Sequence, residues 1–287
     1  MSAKKKPSQL RPILRNFTAN RLAVLAAAVL LVIIVAALTA DLFFDYQTDA
    51  LGQDPKARML GPSAEHWFGT DNFGRDLFVR VLYGARYSLA FGLGCTAFSL
   101  IIGCLLGATA AYFGGRYDDI LMRILDALMC LPSMLLMLLI VAVMGGGLIP
   151  MTVSITISSV PGFTRIIRSV VLSITQQDFI EAARASGSKD GYIVLHHVLP
   201  NAIGPIIVDG MMSIAGTIMG AAGLSYIGMG IQPPAPEWGN MLSEAMSYIR
   251  KAPHLAIFPG VALVITALCF NLVGDGLADA IDPRRRK

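Results

Sequence analysis

Few side chains in this sequence stand in arrangements that could do chemistry. His196 and His197 are adjacent, so on a helix they point to different faces, and His66 and His254 are isolated. Cys95, Cys104, Cys130 and Cys269 fall in apolar blocks without paired spacing and read as small buried hydrophobes. Neither set suits a metal ion, and no nucleophile, base and orienting group come together, so no bond-making site is expected. A phosphate loop is missing as well, the nearest wording being Gly187-Ser188-Lys189. Two features remain. Asp209 is the only acid well inside an apolar stretch, where a carboxylate is costly unless it faces water, another helix or a solute. Asp178 to Gly187 reads as a short helix carrying its own start and stop signals.

Asp178 can accept from the free N–H groups of the first turn, and Glu181 then stands at the third position of a capping box. Both charges favour the positive end of the helix dipole. Gly187 falls where a left-handed terminating residue is wanted, and Ser188 can cap a second helix running towards Pro200. The expectation over 178–200 is helix, tight turn, helix. Such a hairpin is an ordinary connector or a knob built to be gripped, depending on where it lies.

The elements that place it follow from composition. Hydrophobic residues make up 55% of the chain and charged ones 15%, and the apolar residues come in long blocks. This predicts an all-α polytopic membrane protein. Leu22 to Ala40 is uncharged and, at 1.5 Å per residue, long enough for a hydrocarbon core of roughly 30 Å. It reads as a retained anchor over 22–43 rather than a cleaved leader, because Leu38 occupies a place where cleavage needs a small residue. Five further spans are expected at Ser88 to Phe113, Ile120 to Met144, Leu148 to Ile166, Ala202 to Gly230 and Ala256 to Val273.

Six transmembrane helices put both termini on one side. Lys4, Lys5, Lys6, Arg11, Arg15 and Arg21 precede the first span, and Arg284, Arg285, Arg286 and Lys287 end the chain, so that side is expected to be the cytoplasm. Residues 1–21 and 276–287 are then cytoplasmic segments, as is the 178–200 hairpin, within a core of 88–275. Residues 44–87 and 231–254 fall outside. The net charge of +4 reflects this topology and gives no reason to expect nucleic acid.

Pro132 and Pro161-Gly162 should kink or break their spans, as suits a moving pathway, although static bundles contain such kinks too. Asp126 can pair with Arg123 on its own helix. Gly103-x-x-x-Gly107 and Gly216-x-x-x-Gly220 let helices approach closely, within this chain or against another. In the late external loop Pro233, Pro234 and Pro236 forbid regular structure. Beyond them Trp238, Met241, Leu242, Ala245, Met246 and Ile249 recur at helical spacing. That helix is expected to lie on the lipid surface, anchored by Trp238 and Tyr248, or to project towards a partner.

Glu181-Ala182-Ala183-x-x-x-Gly187, then His197-x-Leu199-Pro200, resembles the EAA loop of permease subunits of bacterial ABC importers. His197 replaces an isoleucine of the general pattern, and the dipeptide, oligopeptide and nickel subfamily often has histidine there. Phe68-Gly69-Thr70-Asp71 with Gly74-Arg75-Asp76, and Tyr83-Gly84-Ala85-Arg86 with Ser88-Leu89, look like that subfamily's external segment. Gln232-Pro233-Pro234-x-Pro236-Glu237-Trp238-Gly239 and Gly274-Asp275-Gly276-Leu277 with Ile281-Asp282-Pro283 look like its late loop and tail.

The resemblance implies a type I importer permease fold in the bacterial inner membrane and a transport subunit that is not an enzyme. It implies a second homologous permease, two cytoplasmic ATPase subunits that bind ATP and Mg, and an extracytoplasmic substrate-binding protein. No cofactor is expected on this chain itself. Glu181, Ala182, Ala183 and Gly187, with Asp178, Leu199 and Pro200, would dock the ATPase. Pro233, Pro234, Trp238, Met241 and Leu242 would meet the binding protein. Pro132, Pro161 and Asp209 would belong to the pathway or the interface between permeases, and Asp209 could meet a peptide's amino group, the second permease, or simply stand near the cytoplasmic end of its span. Peptide cargo is favoured over nickel, since no span carries a suitable His or Cys arrangement. Another small solute of the same family, or a self-sufficient secondary carrier, stays open as an alternative.

Overall fold

The computed structural model describes residues 10–281, with side chains from residue 14 onward. The charged runs at Lys4 to Lys6 and Arg284 to Lys287 lie outside the described residues. Within them helices are joined by irregular segments, the longest before Leu77, and the only extended pairing among the described residues is an isolated bridge between Thr70 and Asp76. The helices are α1 (Leu10–Ala19), α2 (Arg21–Thr39), α3 (Leu77–Phe113), α4 (Gly115–Met129), α5 (Ser133–Met144), α6 (Leu148–Thr175), α7 (Asp178–Ala185), α8 (Asp190–Ile193), α9 (Leu199–Tyr226), α10 (Trp238–Met246) and α11 (His254–Ile281). Five segments are long and apolar enough to cross a membrane, and a sixth crossing results if α4 and α5 form one bent span.

Several boundaries move from their expected places for local reasons. Helix α3 begins at Leu77 rather than Ser88, because the Asp76 carboxylate accepts from the Val79 N–H at 3.0 Å and starts the helix ahead of its apolar part. Between α4 and α5 the chain bends by 87° at Pro132, which has no N–H to continue the ladder and restricts Leu131 before it. Pro161 behaves differently: α6 runs straight through it to Thr175, with Pro161 buried among packed neighbours. The expected break is absent there, since one missing hydrogen bond does not undo a helix held on its sides by other helices.

Helices α3 and α6 pack most closely. A Cβ on Gly103 would stand 2.6 Å from Phe163 Cβ, and one on Gly107 would stand 2.6 Å from the Thr164 carbonyl oxygen. These glycines therefore serve a contact inside this chain. Asp126 pairs with Arg165 of α6 rather than with Arg123, and Asp118 forms a two-pronged pair with Arg168, its Oδ1 accepting from Nε at 2.6 Å. Helix α4 is thereby clamped to α6. Cys95 and Cys269 are buried as expected, but Cys130 is exposed beside the Pro132 bend.

Two large apolar clusters organise the molecule. One joins α2, α3, α9, α10 and α11 around Leu30, Leu77, Trp238, Met241 and Phe270. The other joins α3, α6 and the 178–200 hairpin around Phe163, Ile167, Ile174, Ile180, Ile193 and Val198.

Candidate functional site

The hairpin is anchored on one side and bare on the other. Ile180 of α7 and Ile193 of α8 are fully buried in the second cluster, whereas Glu181, Ala182 and Gly187 are exposed and Ala183 is half-buried. One buried residue from each arm fixes the hairpin to the bundle and leaves the small residues facing outward. The turn closes as a Schellman motif: the Ser188 N–H donates to the Ala183 carbonyl at 3.2 Å and the Gly187 N–H to the Arg184 carbonyl at 2.9 Å. Gly187 has φ +77° with open space around it, so the backbone conformation alone demands glycine.

The start of α7 is shifted by one residue from the expected pattern. Gln177 is the cap, without a side-chain bond, and Asp178 is the first helical residue. The capping box to Glu181 is therefore not formed, and both carboxylates act only through the helix dipole. The Ser188 cap is likewise absent: Lys189 precedes α8 and makes no side-chain bond. Helix α8 passes through a wider π turn at Val194–Val198 straight into α9, so Leu199 and Pro200 stand on a single helical stretch from Asp190 to Tyr226.

Three residues that the pattern did not single out hold the hairpin to α3. Tyr112 donates its hydroxyl to Asp190 Oδ1 at 2.6 Å, and the Arg184 guanidinium lies over the Tyr112 ring, 5.0 Å from its centre. One tyrosine thus grips both arms. Its place at the end of a span, opposite an acid and a base in the hairpin, was the only sign available in the sequence.

A cavity of about 400 Å³ opens between the α4–α5 bend, α6 and α9. Met129 and Ser133 flank Pro132 at its rim, Ser158, Ser159 and Gly162 come from α6, and Asp209, Ser213, Gly216 and Thr217 from α9. Asp209 is carried by the first half of α9, within the helical stretch from Asp190 to Tyr226. Gly216 faces open space, unlike Gly103 and Gly107. Pro161 is buried behind the wall that Gly162 lines.

The region around α10 corrects another expectation. Trp238 and Met241 are 1% and 4% exposed, too deep to meet another protein. Trp238 Nε1 donates to the Val81 carbonyl at 2.9 Å, wedging α10 against α3. Leu242 is half-buried, while Pro233 and Pro234, joined by a cis peptide bond, are exposed. Arg75 and Arg80, both nearly inaccessible, bind Asp71 at 2.6 and 3.3 Å, and Arg75 reaches Glu244 of α10 at 3.3 Å. Glu237 caps α10 by accepting from the Gly239 and Asn240 N–H groups at 2.9 Å. Burial pushes its carboxyl above the usual range, and those two bonds oppose the shift.

Residues 99–287 match the family described as the inner membrane component of binding-protein-dependent transport systems. The chain belongs to this permease family. Residues 8–62 also match the N-terminal transmembrane domain of oligopeptide transport permease C. The dipeptide transport system permease protein DppC of Alkalihalophilus pseudofirmus is 42% identical over 97% of this chain and 91% of that protein. The glutathione transport system permease protein GsiD of Pectobacterium atrosepticum is 42% identical over 96% and 91%. In fold the chain is similar to a chain of the MetNI methionine ABC transporter, solved in inward-facing conformations. That likeness has a TM-score of 0.61 at 19% identity and covers 72% of this chain and 98% of the other. The permease is thus a multi-pass inner-membrane subunit of an ABC importer with the type I fold. It works with ATPase and substrate-binding partners, and ATP hydrolysis lies in partner subunits.

Proposed function

We propose that this permease and a second homologous permease form the pathway by which peptides, delivered by an extracytoplasmic binding protein, enter the cell. The 178–200 hairpin docks one of two cytoplasmic ATPase subunits, which carry the ATP and Mg. The observation that carries this reading is the two-sided hairpin: Ile180 and Ile193 are sealed into the bundle while Glu181, Ala182 and Gly187 face outward. Small exposed residues admit a partner's groove closely, and the buried ones transmit its movement to the spans. Peptide cargo is supported by relatives named for dipeptide and glutathione transport. Both termini are placed in the cytoplasm, consistent with the basic run ahead of the first span.

ATP-driven closure of the ATPases biases a bundle with inward-open and outward-open states. Proline at position 187 is incompatible with a positive φ, so Gly187→Pro distorts the docking surface without touching the core. Purification of the tagged permease from its native membrane should recover ATPase subunits and a second permease. The Gly187→Pro variant should retain the second permease and lose the ATPases. ATPases retained by that variant would overturn the docking assignment.

A further inference from the structure

Resting on the pathway just assigned, we propose that Asp209 is a cation anchor within it, binding the ammonium group of a passing peptide, either the free N-terminus or a lysine side chain. Asp209 stands on the wall of the cavity of about 400 Å³, and its Oδ2 is buried without a hydrogen-bond partner. No basic residue lines that cavity. The arginines of α6 nearest to it are already committed, Arg165 to Asp126 and Arg168 to Asp118. Among the described residues the carboxylate therefore has no counter-ion, and an unpaired charge in an apolar setting is strongly disfavoured.

The surrounding wall is built to accept hydrogen bonds. Ser133, Ser158, Ser159, Ser213 and Thr217 bring hydroxyls to the same space. The Ser158 hydroxyl donates to the Ser154 carbonyl at 2.7 Å, whereas buried Thr217 donates to the Ser213 carbonyl at 3.0 Å and accepts from the Thr96 hydroxyl at 3.0 Å. With its proton so engaged, Ser158 keeps lone pairs for the cavity, and an ammonium group offers three donors and no acceptor. The cavity is open and of the size that holds a small ligand, which favours a transient occupant over a fixed partner helix. Acid, hydroxyls and room together make a station for a primary ammonium.

The test reads the field of Asp209 directly. Ser213 lies one turn from Asp209 on the same cavity wall. Ser213→Cys is made in a permease whose exposed Cys130 and half-buried Cys104 are replaced by alanine, the buried Cys95 and Cys269 being kept. The complete transporter, assembled with its partners in membrane vesicles, is treated with cationic and anionic methanethiosulfonate reagents, each rate being normalised to a free thiol. The cationic reagent is expected to be preferred, the preference falling about tenfold with Asp209→Asn and surviving in Asp209→Glu. Uptake of trialanine in the Ser213 parent should fall about tenfold on Asp209→Asn and recover in Asp209→Glu. An unchanged reagent ratio in Asp209→Asn would show that Asp209 carries no net charge there, whether neutralised by a proton or by the second permease, and would overturn the anchor while leaving the pathway standing. Failure of both reagents to react at position 213, with transport intact after treatment, would remove the pathway reading and the anchor with it.

Discussion

The two ends of this permease use the same ingredients in opposite ways. At the α10 end the motif residues Asp71, Arg75, Glu237 and Trp238, with Arg80 beside them, are buried and bind one another or the backbone. At the hairpin end the motif residues Glu181, Ala182 and Gly187 are exposed, and Ile180 and Ile193, which flank them, do the anchoring. A motif therefore marks either a lock inside the chain or a surface for another one, and burial decides which.

The contrast is broken most severely at Arg80, whose guanidinium is 1% exposed between Asp71, Glu244 and the Ala50 carbonyl. Arg80→Met leaves buried carboxylates undercompensated and should cost about 3–5 kcal/mol. Thermal unfolding in detergent would register it, and the fraction that stays folded should still retain ATPase subunits. Trp238→Ala removes the wedge between α10 and α3 and should cost a similar 3–5 kcal/mol, again without a specific effect on docking. If either variant lost ATPase binding at full stability, the division between the two ends would fail.

Smaller effects are expected in the hairpin. Gly187→Ala forces a side chain into the left-handed region at about 1–2 kcal/mol, confined to the turn. ATPase retention should drop while the melting temperature of the bundle barely moves. Tyr112→Phe keeps the ring beneath Arg184 and deletes the bond to Asp190, a loss of about 1 kcal/mol. Hydrogen exchange across 186–193 should quicken without change in α10.

The smallest expected effect is a pH dependence at the α10 end. The carboxyl of Glu237 titrates higher in the folded chain than the ordinary value of 4.5. Its contribution is therefore fully present below pH 4.5 and is lost as pH rises through the raised folded value. The melting temperature should decline from pH 4.5 towards neutrality by an amount that Glu237→Gln reduces.

Much of the hairpin was legible in the sequence, because its stop signal is local: only glycine suits φ +77°, and the bonds of that turn involve residues within five of one another. Its start was misread by one residue, since Asp178 and Gln177 both lie within reach of the first turn and the packing of Ile180 chooses between them. Pro132 and Pro161 look alike in sequence, yet only the first interrupts a helix. Pro132 is exposed where amphipathic α4 gives way to wholly apolar α5, and Pro161 is enclosed by the bundle. The apolar face of α10 was equally visible, but periodicity names a face without naming what it meets. Here Trp238, Met241 and Ala245 meet their own bundle.

The unbroken helix from Asp190 to Tyr226 has a mechanical consequence. Its 37 residues span about 55 Å as one stiff rod, rooted at one end in the hairpin and bearing Asp209 near its midpoint. A tilt of about 5° at the root would carry the far tip through about 5 Å and Asp209 through about half of that. The rod acts as a lever, so a small nudge delivered at the hairpin arrives, enlarged, at the far end of the helix.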